Sequence, residues 1–218
     1  MEAVQPKPGD FIVEIGPGEG VLTRPLLERA GALHVIELDR DLAARLEGER
    51  LVVHQGDALS FDFAQFPRGM RIVGNLPYNI STPLLFHLAR HADRVRDMHF
   101  MLQLEVVERM VAATSTPDYG RLSVALQARF SMTKLFNVAP GAFRPPPKVQ
   151  SAVVRLVPLA EPLRISDELL RRAFSARRKT LRNALPGVDF AAAGIDPRLR
   201  PENLSPQDYA RLSMNSIL

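Results

Sequence analysis

The stretch Phe11-Ile-Val-Glu-Ile15, followed directly by Gly16-Pro-Gly-Glu-Gly20, decides the fold class. The first five residues are predicted to form a buried strand. The three glycines that follow favour a turn in which the backbone can come close to a ligand. A helix is predicted from Val21 to Arg29. Strand, glycine turn and helix in this order open an α/β unit that binds ligands at the carboxyl edge of its sheet.

The alternation of strand and helix continues along the chain. Further strands are predicted at 33–38, 51–54, 70–74 and 97–103, with helices at 41–47, 82–89 and 105–112. Two late strands, 132–138 and 151–157, are separated by a proline loop with no room for a crossover helix, so they are predicted to form an antiparallel edge hairpin. The sequence therefore predicts a Rossmann-like, mostly parallel seven-stranded sheet.

From Ser166 onward the pattern changes to short helices, predicted at 167–176, at 179–184 and from Ser205. We place a domain boundary near residues 158–164 and predict two domains, 1–160 and 161–218. The second is predicted to be small and helical.

Composition excludes several classes of chemistry. The chain has no cysteine, so disulfides, thiolate zinc sites and cysteine nucleophiles are excluded. No apolar run reaches the length of a membrane span, and we expect a soluble, cytoplasmic, monomeric protein with no membrane partner. His87 and His91 lack a third ligand at useful spacing, so no metal is expected.

The net charge of +4 is unevenly distributed. Residues 1–143 carry 15 Lys and Arg against 17 Asp and Glu, whereas residues 144–218 carry 13 against 7. A basic C-terminal third on an otherwise neutral chain points to a polyanion, nucleic acid before membrane.

Carboxylates follow the second and third predicted strands. Glu37 lies 21 residues after Gly16 and could take both ribose hydroxyls of a nucleoside, and Asp57 follows where an adenine would lie. Glycine and two carboxylates in series suit a nucleoside without pyrophosphate, such as S-adenosylmethionine, better than NAD. Glu14 could hold the glycine loop or face the methionine portion of that cofactor. A glycine turn alone is weak evidence.

The fourth strand ends in Asn75-Leu76-Pro77-Tyr78. The Asn75 side-chain oxygen and the Leu76 carbonyl could accept both hydrogens of a nucleobase amine. Pro77 would fix the turn, and a base could stack on Tyr78. An ordinary strand-ending turn is the alternative for these four residues taken alone.

Six motifs in order resemble those of the small-subunit (16S) ribosomal RNA adenine N6,N6-dimethyltransferases, the kasugamycin-sensitivity enzymes, and the resemblance covers nearly the whole chain. The motifs are Val13-Glu-Ile-Gly-Pro-Gly-Glu-Gly20, Val35-Ile-Glu-Leu-Asp39, Gly56-Asp57-Ala58, Gly74-Asn-Leu-Pro-Tyr-Asn-Ile-Ser81, Phe143-Arg-Pro-Pro-Pro-Lys-Val149 and Arg177-Arg-Lys-Thr-Leu-Arg-Asn183. The last two lie outside anything the cofactor requires. The resemblance implies a class I S-adenosylmethionine-dependent methyltransferase fold.

The resemblance also implies roles for single residues. Asn75 and Leu76 would hold adenine N6, Pro77 would shape the turn, and Tyr78 and Phe143 would sandwich the extruded base. Two neighbouring adenosines would be dimethylated in 16S RNA within a 30S subunit or its precursor. The implied cofactor contacts are Glu14, Gly16, Gly18, Gly20, Glu37, Leu38, Asp57, Ala58 and Asn75.

The basic block near residue 180 is interpreted as an RNA contact. No acidic residue interrupts Ala173 to Leu185, which favours an electrostatic footprint over a solvated helical face. The predicted RNA-binding residues are Arg144, Lys148, Arg177, Arg178, Lys179 and Arg182. The domain 161–218 is accordingly predicted to bind RNA, and the domain 1–160 to bind the cofactor.

The sequence departs from the family at its start, because members usually begin with a further basic segment that closes over the cofactor. The stretches 160–163 and 186–193 are also shorter than is usual. The chain as given is therefore expected to bind S-adenosylmethionine weakly and to methylate poorly. Two rivals stay open: a noncatalytic RNA-binding assembly or transcription factor on this fold, and methylation of large-subunit RNA or DNA adenine.

Overall fold

The computed structural model describes residues 1–46, 48–144 and 146–215. The chain divides into two compact units. The first comprises Met1–Val107 with Met132–Pro158, and the second comprises Glu108–Ser131 with the chain from Leu159 onward.

Seven strands form one sheet in the order β3-β2-β1-β4-β5-β7-β6. The first five strands run parallel to one another, and β7 runs antiparallel to β5. This confirms the mostly parallel sheet, with β7 and β6 together at one edge as expected. The strands are β1 Ile12–Ile15, β2 Leu33–Glu37, β3 Leu51–Gln55, β4 Met70–Asn75, β5 Val95–Gln103, β6 Phe130–Val138 and β7 Ser151–Pro158.

Eight α-helices connect or follow these strands within the described ranges. They are α1 Thr23–Ala30, α2 Arg40–Arg45, α3 Ser81–Ala89, α4 Leu104–Val111, α5 Arg121–Gln127, α6 Asp167–Ser175, α7 Leu181–Ala184 and α8 Pro206–Met214. Short 3-10 helices lie at Phe63–Gln65, Ala92–Arg94, Pro140–Ala142 and Pro201–Asn203.

The central strands are buried on both faces, as parallel strands covered by helices must be. All four residues of β1 are buried, and β4 is buried up to its last residue, Asn75. One cluster of the core joins α1 to the strands β1, β2 and β4; it contains Ile12, Leu26, Ala30, Leu33, Val35 and Val73. Because the strands are buried along their length, their polar residues reach the surface at the carboxyl ends, as Asn75 does on β4.

Two predicted helices begin later than expected. Helix α1 starts at Thr23 and not at Val21, because Gly20 holds a left-handed φ of 81° and a turn follows it. Helix α7 starts at Leu181 and not at Lys179, because Thr180 is extended. The predicted end of the second helix, Glu47, lies outside the described residues; α2 itself ends at Arg45.

The second unit includes residues 108–131, which the sequence-based division placed in the domain 1–160. Helix α5 packs against α6 and α8 there. Two backbone hydrogen bonds also connect residues 108–131 to the later part of this unit. Leu159 N donates to the Arg129 carbonyl and Leu163 N to the Ala128 carbonyl, both at 2.8 Å. The residues that make these contacts are far apart in the sequence, so the local pattern of apolar and polar residues did not reveal the grouping.

Two tyrosines hold the second unit together. The hydroxyl of Tyr119 donates to the Leu204 carbonyl and that of Tyr209 to the Pro201 carbonyl, both at 2.8 Å. Both side chains are fully buried, so each hydroxyl needs such a partner. None of the described helices has the length and apolar character needed to cross a membrane.

Candidate active site

The glycine loop leaves open space beside its backbone. Gly16, Gly18 and Gly20 all have positive φ, at 66°, 55° and 81°. Nothing lies within 4 Å of the position that a Cβ would occupy at Gly16 or Gly18. Gly16 N donates to the Ile36 carbonyl at 2.9 Å, which ties the loop to β2. A ligand can therefore approach the main chain here closely, as predicted for this loop.

Glu37 is held at the carboxyl end of β2. Its side chain is 7% exposed and accepts hydrogen bonds from Gly18 N at 3.2 Å and from Asp39 N at 2.9 Å. The structure thus brings together the glycine loop and the carboxylate that sequence spacing had paired. Leu38, next along the chain, is 66% exposed and offers an apolar surface.

Asp57 and Ala58 follow β3 at the same edge of the sheet. Gly56 N donates to the Glu37 carbonyl at 2.9 Å, which places this turn beside Glu37. The Asp57 side chain is exposed and accepts from Leu59 N at 2.8 Å through one of its oxygens. Ala58 is buried. Among the described residues no donor reaches the second oxygen of Asp57.

Glu14 lies buried beneath the glycine loop, 1% exposed. Burial raises its pKa from the ordinary 4.5 to about 7. The Thr23 hydroxyl donates to it at 2.7 Å and opposes that rise, while the carboxylate of Glu37 adds to it. Sequence reasoning missed Thr23; the only signal was a hydroxyl at the start of the helix that follows the loop.

Asn75 and Leu76 present free hydrogen-bond acceptors. Residue Ile15 pairs with Gly74, so Asn75 comes next to the start of the glycine loop. Leu76 is buried, and its N–H donates to the Met101 carbonyl at 3.2 Å. In the parts of the chain that the structure describes, no donor reaches the Asn75 side chain or the Leu76 carbonyl.

Gly74 is required by close approach of the backbone and was not among the predicted site residues. A Cβ at this position would lie 2.8 Å from the Ile15 carbonyl oxygen and 2.9 Å from a Leu76 methyl carbon. A larger residue would therefore push β4 away from β1 and move Asn75. The signal for it was present in the sequence, as a glycine inside an apolar strand.

The turn after Leu76 is fixed by its own hydrogen bonds. The Pro77 carbonyl accepts from the Ser81 hydroxyl at 2.9 Å and from Ile80 N at 3.2 Å. The Tyr78 hydroxyl lies 2.9 Å from the Ser151 hydroxyl. Sequence reasoning did not identify Ser151 as a member of the site. Pro77 and Tyr78 are thus held at one end of the sheet.

Phe143 lies on the loop before β7 and is half-buried. No ring contact joins it to Tyr78 among the described residues. Two rings that sandwich a base are separated by it and need not touch, so the joint role of Tyr78 and Phe143 stays a prediction. Arg144 and Lys148, on the same loop, are exposed.

The basic block of the second unit is not uniform. Arg178, Lys179 and Arg182 are exposed, in agreement with a solvent-facing role. Arg177 is instead engaged within the protein: its Nε donates to a Glu202 carboxylate oxygen at 2.8 Å, and its terminal nitrogen donates to the Pro117 carbonyl at 2.7 Å. Its acidic partner Glu202 lies in the 3-10 helix Pro201–Asn203, outside the stretch 173–185.

His87 has a protein partner, since its Nε2 lies 2.8 Å from the Phe61 carbonyl oxygen. Over the residues that the structure describes, no group of three or more His, Cys, Asp or Glu side chains could hold a metal ion.

Comparisons with known proteins relate this chain to enzymes that methylate ribosomal RNA. The family model described as "Ribosomal RNA adenine dimethylase" matches residues 1–215. A relative from Aromatoleum aromaticum, named Ribosomal RNA small subunit methyltransferase A, is 60% identical over 98% of this chain and 86% of its own length. The aligned length is 227 residues against 218 in this chain, so the relative contains residues that this chain lacks.

Two solved structures share the fold over nearly the whole chain. A dimethyladenosine transferase from Plasmodium falciparum is 28% identical, with a TM-score of 0.79 over 97% of this chain and 91% of that one. The 23S rRNA methyltransferase ErmE is 26% identical, with a TM-score of 0.70 over 98% and 93%. The predicted class I S-adenosylmethionine-dependent methyltransferase fold is thereby confirmed. The chain belongs to the ribosomal RNA adenine dimethylase family, which is a family of methyltransferases.

Proposed function

We propose that the protein dimethylates N6 of two adjacent adenosines in 16S ribosomal RNA, within a 30S subunit or its precursor, with S-adenosylmethionine as methyl donor. The observation that carries the proposal is the pair of free acceptors, the Asn75 side-chain oxygen and the Leu76 carbonyl, beside the glycine loop. Membership of the adenine dimethylase family supports it, as does 60% identity to a relative named for the small subunit.

The residues at the carboxyl edge fit S-adenosylmethionine. The cofactor, when bound, supplies a methyl group on a sulfonium, which is already a strong electrophile. Glu37 and Asp57 suit ribose hydroxyls and an adenine amine, and they would repel a pyrophosphate. The open space at Gly16 and Gly18 admits the cofactor close to the backbone. Leu38 and Ala58 would provide apolar contacts to its base, and Glu14 would face its methionine portion.

The acceptors at the end of β4 act on the substrate amine. An exocyclic amine is a poor nucleophile because its lone pair is delocalised into the ring. Two acceptors that hold its hydrogens favour the tetrahedral form, in which the lone pair is available. No general base is required, since the proton can leave to water after the transfer. Before a second transfer the nitrogen carries one methyl group and one hydrogen, so one acceptor would hold that hydrogen and the site would have to leave room for the methyl group.

The substrate base has to leave its stack to reach these acceptors, which costs a few kcal/mol. Stacking on Tyr78 and Phe143 would offset part of that cost. Exposed basic residues would hold the RNA backbone; we propose Arg144, Lys148, Arg178, Lys179 and Arg182 for this contact, with Arg177 supporting them from within the fold.

Methylation of large-subunit RNA is the second candidate, because the similar structure of ErmE is that of a 23S rRNA methyltransferase. Incubation with labelled S-adenosylmethionine and unmethylated 30S subunits, 50S subunits or duplex DNA separates the two. We expect label in 16S RNA from 30S subunits. Label in 50S subunits or DNA alone, or no label at all, would overturn the proposal.

A further inference from the structure

The Tyr78 hydroxyl is bound to a residue 73 positions away in the chain. Its oxygen lies 2.9 Å from the Ser151 hydroxyl oxygen, and either group can donate. Ser151 is fully buried, whereas Tyr78 is half-buried. The bond thus joins the far end of a partly exposed aromatic side chain to an interior point of the fold.

Ser151 occupies a rigid position. It is the first residue of β7 and pairs with Gln103 of β5 in antiparallel register. Its neighbour Gln150 accepts a hydrogen bond from Leu104 N at 2.9 Å. The loop that carries Phe143 ends at this same point. A hydroxyl on such a frame can fix the direction of a ring that reaches it.

We propose that Ser151 is a positioning residue that sets the position of the Tyr78 ring relative to the substrate base. The backbone of the turn fixes the start of this side chain, through Leu76 N on the Met101 carbonyl. The bond to Ser151 fixes its far end and with it the first side-chain torsion, which places the ring; the hydroxyl oxygen lies on the axis of the second torsion, so the plane of the ring can still adjust to the base. A base stacked on that ring has its amine placed relative to the acceptor on Asn75. This inference rests on the proposed function.

A double-mutant cycle tests the coupling. Ser151→Ala and Tyr78→Phe each remove the bond while keeping the ring, and each is expected to lower the single-turnover rate of methyl transfer to 30S subunits about tenfold. The double variant should lose no more than the stronger single variant. S-adenosylmethionine affinity and the melting temperature of Ser151→Ala should stay unchanged, because the freed Tyr78 hydroxyl can reach water. Losses that multiply would overturn the assignment.

Ser123→Ala is the matched control. Ser123 is also fully buried, but its hydroxyl donates to the Arg109 carbonyl and accepts from Gly120 N, both in the second unit. Loss of these bonds should leave the transfer rate unchanged. An equal fall in rate for Ser123→Ala and Ser151→Ala would mean that loss of any buried hydroxyl has this effect, which contradicts a specific role for Ser151.

A measurement without RNA separates this inference from the proposed function. The chain has three tyrosines, Tyr78, Tyr119 and Tyr209. With labelled tyrosine rings, Ser151→Ala should shift the Tyr78 signals in the NMR spectrum and leave the other two in place. If the wild type transfers no methyl group, the proposed function fails. The spectrum still shows whether the hydrogen bond to Ser151 positions the Tyr78 ring. Unchanged Tyr78 signals would show that Ser151 does not position the ring.

Discussion

Glu14 shows how one buried carboxyl can link cofactor binding to pH. Burial raises its pKa to about 7, so the folded protein binds this proton more tightly than the unfolded chain does. The group therefore stabilises the fold below pH 4.5, and its contribution is lost as pH rises through 7. A positively charged ligand next to it would favour the ionised form instead.

Replacement of Glu14 by Gln keeps an acceptor for the Thr23 hydroxyl and removes the charge. We expect Glu14→Gln to raise the melting temperature at pH 8 by roughly 2–4 °C and to have a smaller effect at pH 5. Wild-type affinity for S-adenosylmethionine should rise from pH 6 to pH 8, whereas that of the variant should not. Calorimetric titration and thermal melts at the three pH values measure this; parallel pH profiles would contradict it.

At the residue scale, sequence spacing anticipated a contact where the signal was local. It paired the glycine loop with Glu37, and the structure joins Gly18 to Glu37. Ser151 could not be found in this way, because its partner Tyr78 is 73 residues away and becomes a neighbour only through pairing of β5 with β7. Whether each of these residues binds the cofactor or the RNA stays a prediction.

The strands were predicted well because buried parallel strands are continuous apolar runs between turns. The short helices were harder. Helix α7 has four residues, too few for a periodic pattern, and its start is set by the extended Thr180. The grouping of 108–131 with the C-terminal helices depends on packing of α5 against α6 and α8, which local sequence does not encode.

The segment that leads into α7 contains two adjacent arginines with different surroundings. Arg177 pairs with Glu202 and binds the Pro117 carbonyl, whereas Arg178 is exposed. Arg177→Ala should lower the melting temperature by roughly 2–4 °C, since it leaves a partly buried carboxylate without its partner. Arg178→Ala should leave the melting temperature unchanged.

The two arginines should also differ in their effect on RNA binding. Arg178→Ala should reduce the slope of log affinity against log salt by about 1, as expected for one lost phosphate contact. Arg177→Ala should affect that slope less. Filter binding over a salt series and thermal melts provide the data; a stable Arg177→Ala protein with a reduced slope would instead make Arg177 a direct RNA contact.

At the scale of the whole molecule, the fold brings the residues proposed for the cofactor and the turn proposed for the substrate amine to one edge of one sheet. Strands β1 to β3 end in the glycine loop, Glu37 and Asp57, and β4 ends in Asn75. The order β3-β2-β1-β4 places these ends in series. Because different strands carry the two sets of residues, the site for the methyl donor and the site for the substrate amine should be separable by mutation. A change at the end of β4 should leave cofactor binding in place.

The most direct test compares wild-type protein with Asn75→Ala. Each is titrated with S-adenosylmethionine and then incubated with it and unmethylated 30S subunits, and the 16S RNA is digested and analysed by mass spectrometry. The wild type should yield N6,N6-dimethyladenosine at two adjacent positions. Asn75→Ala should retain cofactor binding, through the other implied contacts, and transfer at least about 100-fold more slowly. Wild-type RNA without dimethyladenosine, or a variant that transfers at the wild-type rate, would contradict the account.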